Sequence, residues 1–199
     1  MTFFFLLLAT FCCLGLFIPP TSFSADESKI SGADVAWMLS ASGLVLLMTP
    51  GLSFFYGGMV GRKNIISTML QSFIALGVIT ILYIVVGFSL CFGSSMYGLI
   101  GNPLDFFMFR NVSLMPDPSL SPTIPLMLFA AFQMKFAIIT PAIITGSFAE
   151  RVNFKAYLLF MCLFSIFIYA PLAHWTWHPE GFLRRWGVLD FAGGTVVCT

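Results

Sequence analysis

The chain has 199 residues, of which 59% are hydrophobic and only 9% charged, with a formal net charge of +1. Its mean hydropathy is +0.98. A domain that folds in water carries about 25% charged residues to keep its surface solvated, so this composition excludes a water-bathed globule and points to lipid as the solvent. The near-neutral balance also excludes the basic face that a nucleic-acid partner needs.

In chain order, residues 3–18 form an apolar run ending at Pro19-Pro20, and Ser22-Phe23-Ser24 follows as a small-x-small pattern. Residues 1–24 read as a signal peptide cleaved after Ser24, leaving a mature chain over 25–199. An uncleaved anchor helix is the rival, disfavoured because the run is short for a span.

Four longer apolar stretches come next: 35–61, bounded by Asp34 and Arg62; 64–92; 122–149, interrupted only by Lys135; and 156–177. Each reaches the ~20 residues that cross a hydrocarbon core. Backbone groups in lipid must be satisfied internally, so all four are expected to be helices. After a loop over 178–189, Asp190 precedes the small, apolar run of residues 191–197, the pattern of a helix start. The fold class is therefore all-α and polytopic, about four complete transmembrane helices plus the start of a fifth.

The first and third connections are short and basic, with Arg62 and Lys63 in one and Arg151 and Lys155 in the other, whereas the second, 93–121, is long and rich in Gly and Pro. Short basic loops stay in the cytoplasm, which places the mature N-terminus outside. Lys29, Arg110, Arg184 and Arg185 on the opposite side equal that count, and the leader cleavage is what favours the N-out choice.

The five cysteines, Cys12, Cys13, Cys91, Cys162 and Cys198, show neither metal-ligand spacing nor a disulfide framework. No nucleophile–base constellation stands out either, so the chain reads as no enzyme, with no cofactor and no metal.

Several segments carry an identity that composition does not. Pro50-Gly51 is followed by Phe54-Phe55-Tyr56-Gly57-Gly58 and Arg62-Lys63-Asn64. Phe132-Gln133 is followed by Phe136-Ala137 and by residues 146–151, GSFAER. Ala173-His174-Trp175-Thr176-Trp177 is followed by residues 190–197, DFAGGTVV. Order and spacing from about 34 to 197 resemble ammonium transporters of the Amt/Rh family.

The resemblance implies eleven transmembrane helices with helices one to five and six to ten as an inverted repeat, a homotrimer with one pore per subunit, and ammonium or ammonia as the transported species. This chain then supplies the first repeat up to its fifth helix. An ammonium-sensing or interaction module of a larger membrane protein is the alternative.

Phe132 and Phe136 lie four apart on one helix face, and on the residues alone such a pair reads as packing. The resemblance makes Phe136 one of two stacked rings gating the pore, and Phe132 and Trp177 aromatic walls of an external ammonium site. A ring face attracts a cation by ~0.5–2 kcal/mol depending on desolvation. Asp190 reads as an N-cap; the resemblance adds electrostatic support of the cation site from behind. Trp175 reads as an interfacial anchor, Glu150-Arg151 as a helix-end pair, His174 as a satisfied interface residue and His178 as a loop residue.

Two residues depart from the family pattern. Lys135 stands where an uncharged residue is expected; at ~2.5–3.5 kcal/mol for a mid-membrane lysine, it must snorkel or bond a neighbouring helix's backbone. Cys198 stands where the family has a pore histidine. Val197-Cys198-Thr199 is also what a two-base slip in codons for Val-His-Ile-Asn would encode, an expectation that sequencing the gene tests.

Overall fold

The structure, a computed structural model, describes residues 30–191 and 193–198. The leader expected over 1–24 lies outside the described residues. Among the described residues, four helices are long and apolar enough to cross a membrane, as the apolar stretches require.

Helix α1, Gly32–Met59, opens on Ser31, whose hydroxyl accepts from the Asp34 N–H at 3.3 Å. It continues through Pro50, tolerated in a membrane helix because neighbouring helices re-satisfy the freed carbonyl. Helix α2, Ile65–Phe92, is continuous but contains a wide π turn over Tyr83–Gly87, closed by Phe88 N–H on the Tyr83 carbonyl. Helix α3, Leu126–Phe148, begins later than the expected 122. Pro122 and Pro125 stand in the way: each pushes its preceding residue to an extended conformation, and Ser121–Pro125 is accordingly a strand.

Helix α4 covers 154–177, capped by the Asn153 side chain accepting from Ala156 N–H at 2.8 Å. Cap and first turn draw in Lys155, so the link from α3 is even shorter than the sequence indicates. A second π turn, Ser165–Tyr169, lies in its middle. A short helix α5, Phe182–Arg185, occupies the following loop.

The long second loop is ordered by its own chemistry. Strand β1 (Ser95–Met96) pairs antiparallel with β2 (Ile100–Gly101), and β3 (Pro116–Asp117) with β4 (Ser121–Pro125). The Asp105 carboxylate accepts from Ser94 and Asn102. Phe106 and Phe109 of this loop pack on Phe88 with ring centroids 5.0 and 5.6 Å away, seating the loop on the end of α2. These two small hairpins are the exception to an otherwise helical chain.

Helix α3 is the most enclosed of the four and α1 the least, with 44% and 11% of their most apolar windows buried. Side chains of α1 such as Leu44, Leu47 and Phe54 therefore face outward, toward lipid or protein. Between helices, packing is supplemented by hydrogen bonds worth roughly 0.6–2 kcal/mol each in a membrane. The Tyr157 hydroxyl of α4 donates to the Gln71 carbonyl of α2 at 3.1 Å and meets Thr145 of α3 at 3.3 Å. Ser53 of α1 donates to the Met69 carbonyl of α2 at 3.0 Å, and Tyr56 of α1 donates to the Ile143 carbonyl of α3.

Glu150 corrects the expected helix-end pair with Arg151. It has a positive φ of 66°, and its carboxylate reaches the α1–α2 link, accepting from Gly61 N–H at 2.8 Å and Asn64 Nδ2 at 3.0 Å. Those two donors stabilise the ionised carboxylate and hold its pKa below the usual carboxylate range, Asn64 contributing most. The chain reversal at Glu150 carries the side chain across to α1, which local spacing does not reveal.

Candidate functional site

Where α3 begins and α4 ends, the structure brings together all four singled-out residues. The Phe132 and Phe136 rings on α3 meet edge to face, centroids 5.0 Å apart at 80°. Phe136 meets Trp177 of α4 at 5.9 Å and 64°, so three rings form one continuous run. All three are half-buried, leaving ring surface open.

Trp177 is held by its polar edge. Its indole Nε1–H donates to the backbone carbonyl of Asp190 at 3.2 Å. The Asp190 carboxylate in turn accepts from the N–H groups of Thr195 and Val196, both at 3.1 Å. Those residues belong to a single helical turn closed by Val197 N–H on the Gly193 carbonyl at 2.7 Å. The capping chemistry expected of Asp190 is thus present, but it is delivered from three residues before the turn's first carbonyl. This one turn stands where the sequence predicts the start of a fifth membrane helix.

Gly193 is a member of the site that sequence reasoning missed. Its φ is +79°, and a Cβ there would lie 2.7 Å from Val197 Cγ2 and 3.7 Å from the Trp177 ring. Glycine alone adopts that conformation readily, and the Gly193-Gly194 pair after Asp190 was the available signal. Gly181 is a second: a Cβ there would fall 2.2 Å from the His174 carbonyl oxygen and 2.4 Å from that of Trp175. The chain leaving α4 therefore folds back directly on the helix end below Trp177.

Around the aromatic run, Trp175 donates to the Leu99 carbonyl at 2.6 Å and packs on Phe182 at 5.2 Å, fixing the helix end to both loops. His174 is fully buried and satisfied: Nδ1 pairs with the Cys91 carbonyl at 2.9 Å and Nε2 with Ser95 Oγ at 2.8 Å. Since a carbonyl only accepts, Nδ1 carries the proton and Nε2 of the neutral ring accepts from the serine. His178 is more than a loop residue. It is 7% exposed, stacks on His174 with centroids 4.4 Å apart, and its Nδ1 accepts from Glu180 N–H at 3.1 Å.

Of the two expectations for Lys135, the bond to a neighbouring helix's backbone is not the one formed. Its ammonium donates to the Ala131 carbonyl at 2.7 Å, one turn earlier on its own helix. Side chains on a helix lean toward its N-terminus, which brings that carbonyl within reach. Cys198 is exposed beside the turn, its N–H on the Gly193 carbonyl at 3.2 Å.

Partly exposed aromatic rings on a helical membrane bundle can hold a small cation against their faces while removing its water. The family model described as Ammonium Transporter Family matches residues 36–199. The ammonium transporter of Aquifex aeolicus is 45% identical over 174 residues, covering 87% of this chain and 40% of the relative. That of Bacillus subtilis is 45% identical over 166 residues, covering 82% and 40%.

Among solved structures, Candida albicans Mep2 superposes with a TM-score of 0.79 at 32% identity, covering 88% of this chain and 38% of that one. A sensor Amt protein gives 0.73 at 32% identity, covering 82% and 40%. The chain spans about 40% of the length of the curated relatives it matches. With four helices among the described residues long and apolar enough to cross a membrane, the chain is that of a multi-pass membrane protein, and it belongs to the ammonium transporter family.

Proposed function

We propose that the protein carrying this chain moves ammonium or ammonia across the cell membrane, and that this chain builds the outer entrance of the path. The observation that supports this most is the aromatic run Phe132–Phe136–Trp177, tied through the Trp177 indole to Asp190. In this reading Phe132 and Trp177 bind the arriving cation. Phe136, one helical turn deeper on α3, is the ring that the dehydrated species must pass. Asp190 acts indirectly: its carbonyl orients the indole, and its carboxylate holds the turn that follows.

The reading further places the mature N-terminus outside and the Glu150–Gly61 contact on the cytoplasmic side, with a homotrimer as the assembly. The outward apolar side chains of α1 supply surface for lipid and for neighbouring subunits.

The test is uptake of methylammonium in cells that lack other ammonium transporters. The chain is joined to the remaining share of the Aquifex aeolicus relative, and compared with the 199-residue chain alone and with empty vector. Saturable uptake by the joined protein supports the proposal. The chain alone is expected to equal the vector, because it spans about 40% of its relatives' length. No uptake by a joined protein that reaches the membrane intact would overturn the transport reading.

The likeness to a sensor Amt protein favours a second reading, in which the same rings bind ammonium to report it. Ammonium binding without uptake in the joined protein separates the two.

A further inference from the structure

The last turn of α4, which carries Trp177, is anchored by groups outside that helix. His174, three residues before Trp177, is 0% exposed, and both of its ring nitrogens are bonded. Nδ1–H donates to the Cys91 carbonyl at 2.9 Å, and Nε2 accepts from Ser95 Oγ at 2.8 Å. Ser95 Oγ in turn accepts from Gly98 N–H at 3.1 Å, which fixes the serine hydroxyl beside the imidazole. One residue on, Trp175 donates to the Leu99 carbonyl at 2.6 Å. The hairpin of β1 and β2 therefore holds the end of α4 at two successive residues.

The same partners lead to the other aromatic wall. Cys91 lies one residue before the end of α2, where helix carbonyls have no intrahelical partner, and the imidazole supplies the missing donor. Its neighbour Phe92 meets Phe129 of α3 edge to face, with centroids 5.1 Å apart at 78°. Phe129 and Phe132 are three residues apart and so share one face of α3. The end of α2 is thus tied to both helices that carry the rings, bonded to α4 through His174 and packed on α3 through Phe92.

A ring attracts a cation within about 6 Å of its centroid, so a shift of the last turn of α4 weakens the hold of Trp177 on a cation that also meets Phe132. The indole has one N–H, and it is spent on the Asp190 carbonyl. Its contact with Phe136 contains no directional bond. Placement of Trp177 against α3 has to come through the α4 backbone, and binding groups keep their geometry only where surrounding hydrogen bonds lock the elements that bear them.

We propose that His174, locked between Ser95 and the Cys91 carbonyl, is a positioning residue for the cation site: it sets Trp177 of α4 at the separation from Phe132 of α3 that one cation can bridge. Through Ser95, the β1–β2 hairpin tunes the affinity of that site. This rests on the reading of Phe132 and Trp177 as the cation-binding walls.

The test uses the protein carrying this chain, in its own full length or joined as above. The serine is varied, because replacing the buried histidine would leave the Cys91 carbonyl bare. Ser95→Ala removes one of the two anchors of the imidazole at the cost of a single atom. At equal yield of folded protein it should raise the half-saturating methylammonium concentration about 2-fold or more, by no more than Trp177→Leu does, with the maximal rate close to that of wild type. Ser95→Thr keeps the hydroxyl and should restore the wild-type value. In a Trp177→Leu background, Ser95→Ala should add nothing further, since the wall it helps to place is gone.

Wild-type half-saturation in Ser95→Ala overturns the proposal, and so does a fall in maximal rate alone, which marks a purely structural loss. A threonine variant no better than the alanine one overturns it too. So does an equal rise in the Trp177→Leu background, which puts the action of Ser95 elsewhere. Failure of the transport reading shows differently, as no saturable uptake by the wild-type joined protein, and overturns both.

Discussion

Replacing Gly146 by Ala places a methyl group where α1 and α3 touch. A Cβ at Gly146 would lie 2.5 Å from Cε1 of Tyr56 and 2.9 Å from its Cζ. Carbon atoms in contact prefer about 3.5–4.0 Å, so the methyl overlaps the ring by about 1 Å. The ring cannot swing aside freely, because its hydroxyl donates to the Ile143 carbonyl of the same helix α3. Either the helices separate, at the about 1–3 kcal/mol typical of overpacking, or the tyrosine gives up a bond with a net value of about 0.5–1.5 kcal/mol.

A second background reverses the sign. With Tyr56→Ala the obstruction is gone, and Gly146→Ala should then stabilise α3 by about 0.5–1 kcal/mol through backbone entropy. The two backgrounds should therefore differ by roughly 1–4 kcal/mol in unfolding free energy, measured by titration with a denaturing detergent in mixed micelles. An equal effect of Gly146→Ala in both backgrounds would refute the contact and with it the α1–α3 packing.

Other outcomes follow from the same contacts. Glu150 is held below the usual carboxylate range by Asn64 and Gly61, so its contribution is present above the unfolded carboxylate value and is lost as pH falls through the depressed folded one. Thermal unfolding of wild type should show that loss on acidification, and Glu150→Gln should flatten it; an unchanged acid limb in the variant contradicts the latch. Tyr157→Phe removes the bond to the Gln71 carbonyl and the contact with Thr145. It should lower stability in mixed micelles by about 0.6–2 kcal/mol, while a neutral variant would show that the hydroxyl ties nothing.

Much of the fold was legible because membranes impose a simple rule. Asp34, Arg62, Arg151 and Lys155 flank long apolar runs that hold a single charge, Lys135, and the helices fall within a few residues of the runs' ends. The late start of α3 was legible in principle too, from Pro122 and Pro125. The π turns at Tyr83–Gly87 and Ser165–Tyr169 were not, since one extra residue in a helix that is apolar all round leaves no trace in the pattern.

Of the candidate site, Phe132 and Phe136 were legible as a pair through their spacing, and Trp177 and Asp190 only through the family motif. What joins them was hidden. The indole bond runs from Trp177 to a backbone carbonyl, which no side-chain pattern marks. The reach of Glu150 to Asn64 spans 86 residues and depends on a positive φ. Such contacts are products of tertiary placement and carry no local signature.

The account rests on Trp177 as an aromatic wall for a cation, and Trp177→Leu tests it most directly. In the joined protein, the concentration dependence of methylammonium uptake is compared for wild type and variant at matched yield of folded protein. Loss of a cation–π contact of ~0.5–2 kcal/mol should raise the half-saturating concentration about 2- to 30-fold with folding little disturbed. Equal half-saturation in the two proteins, with equal yield, would contradict the assignment of the rings.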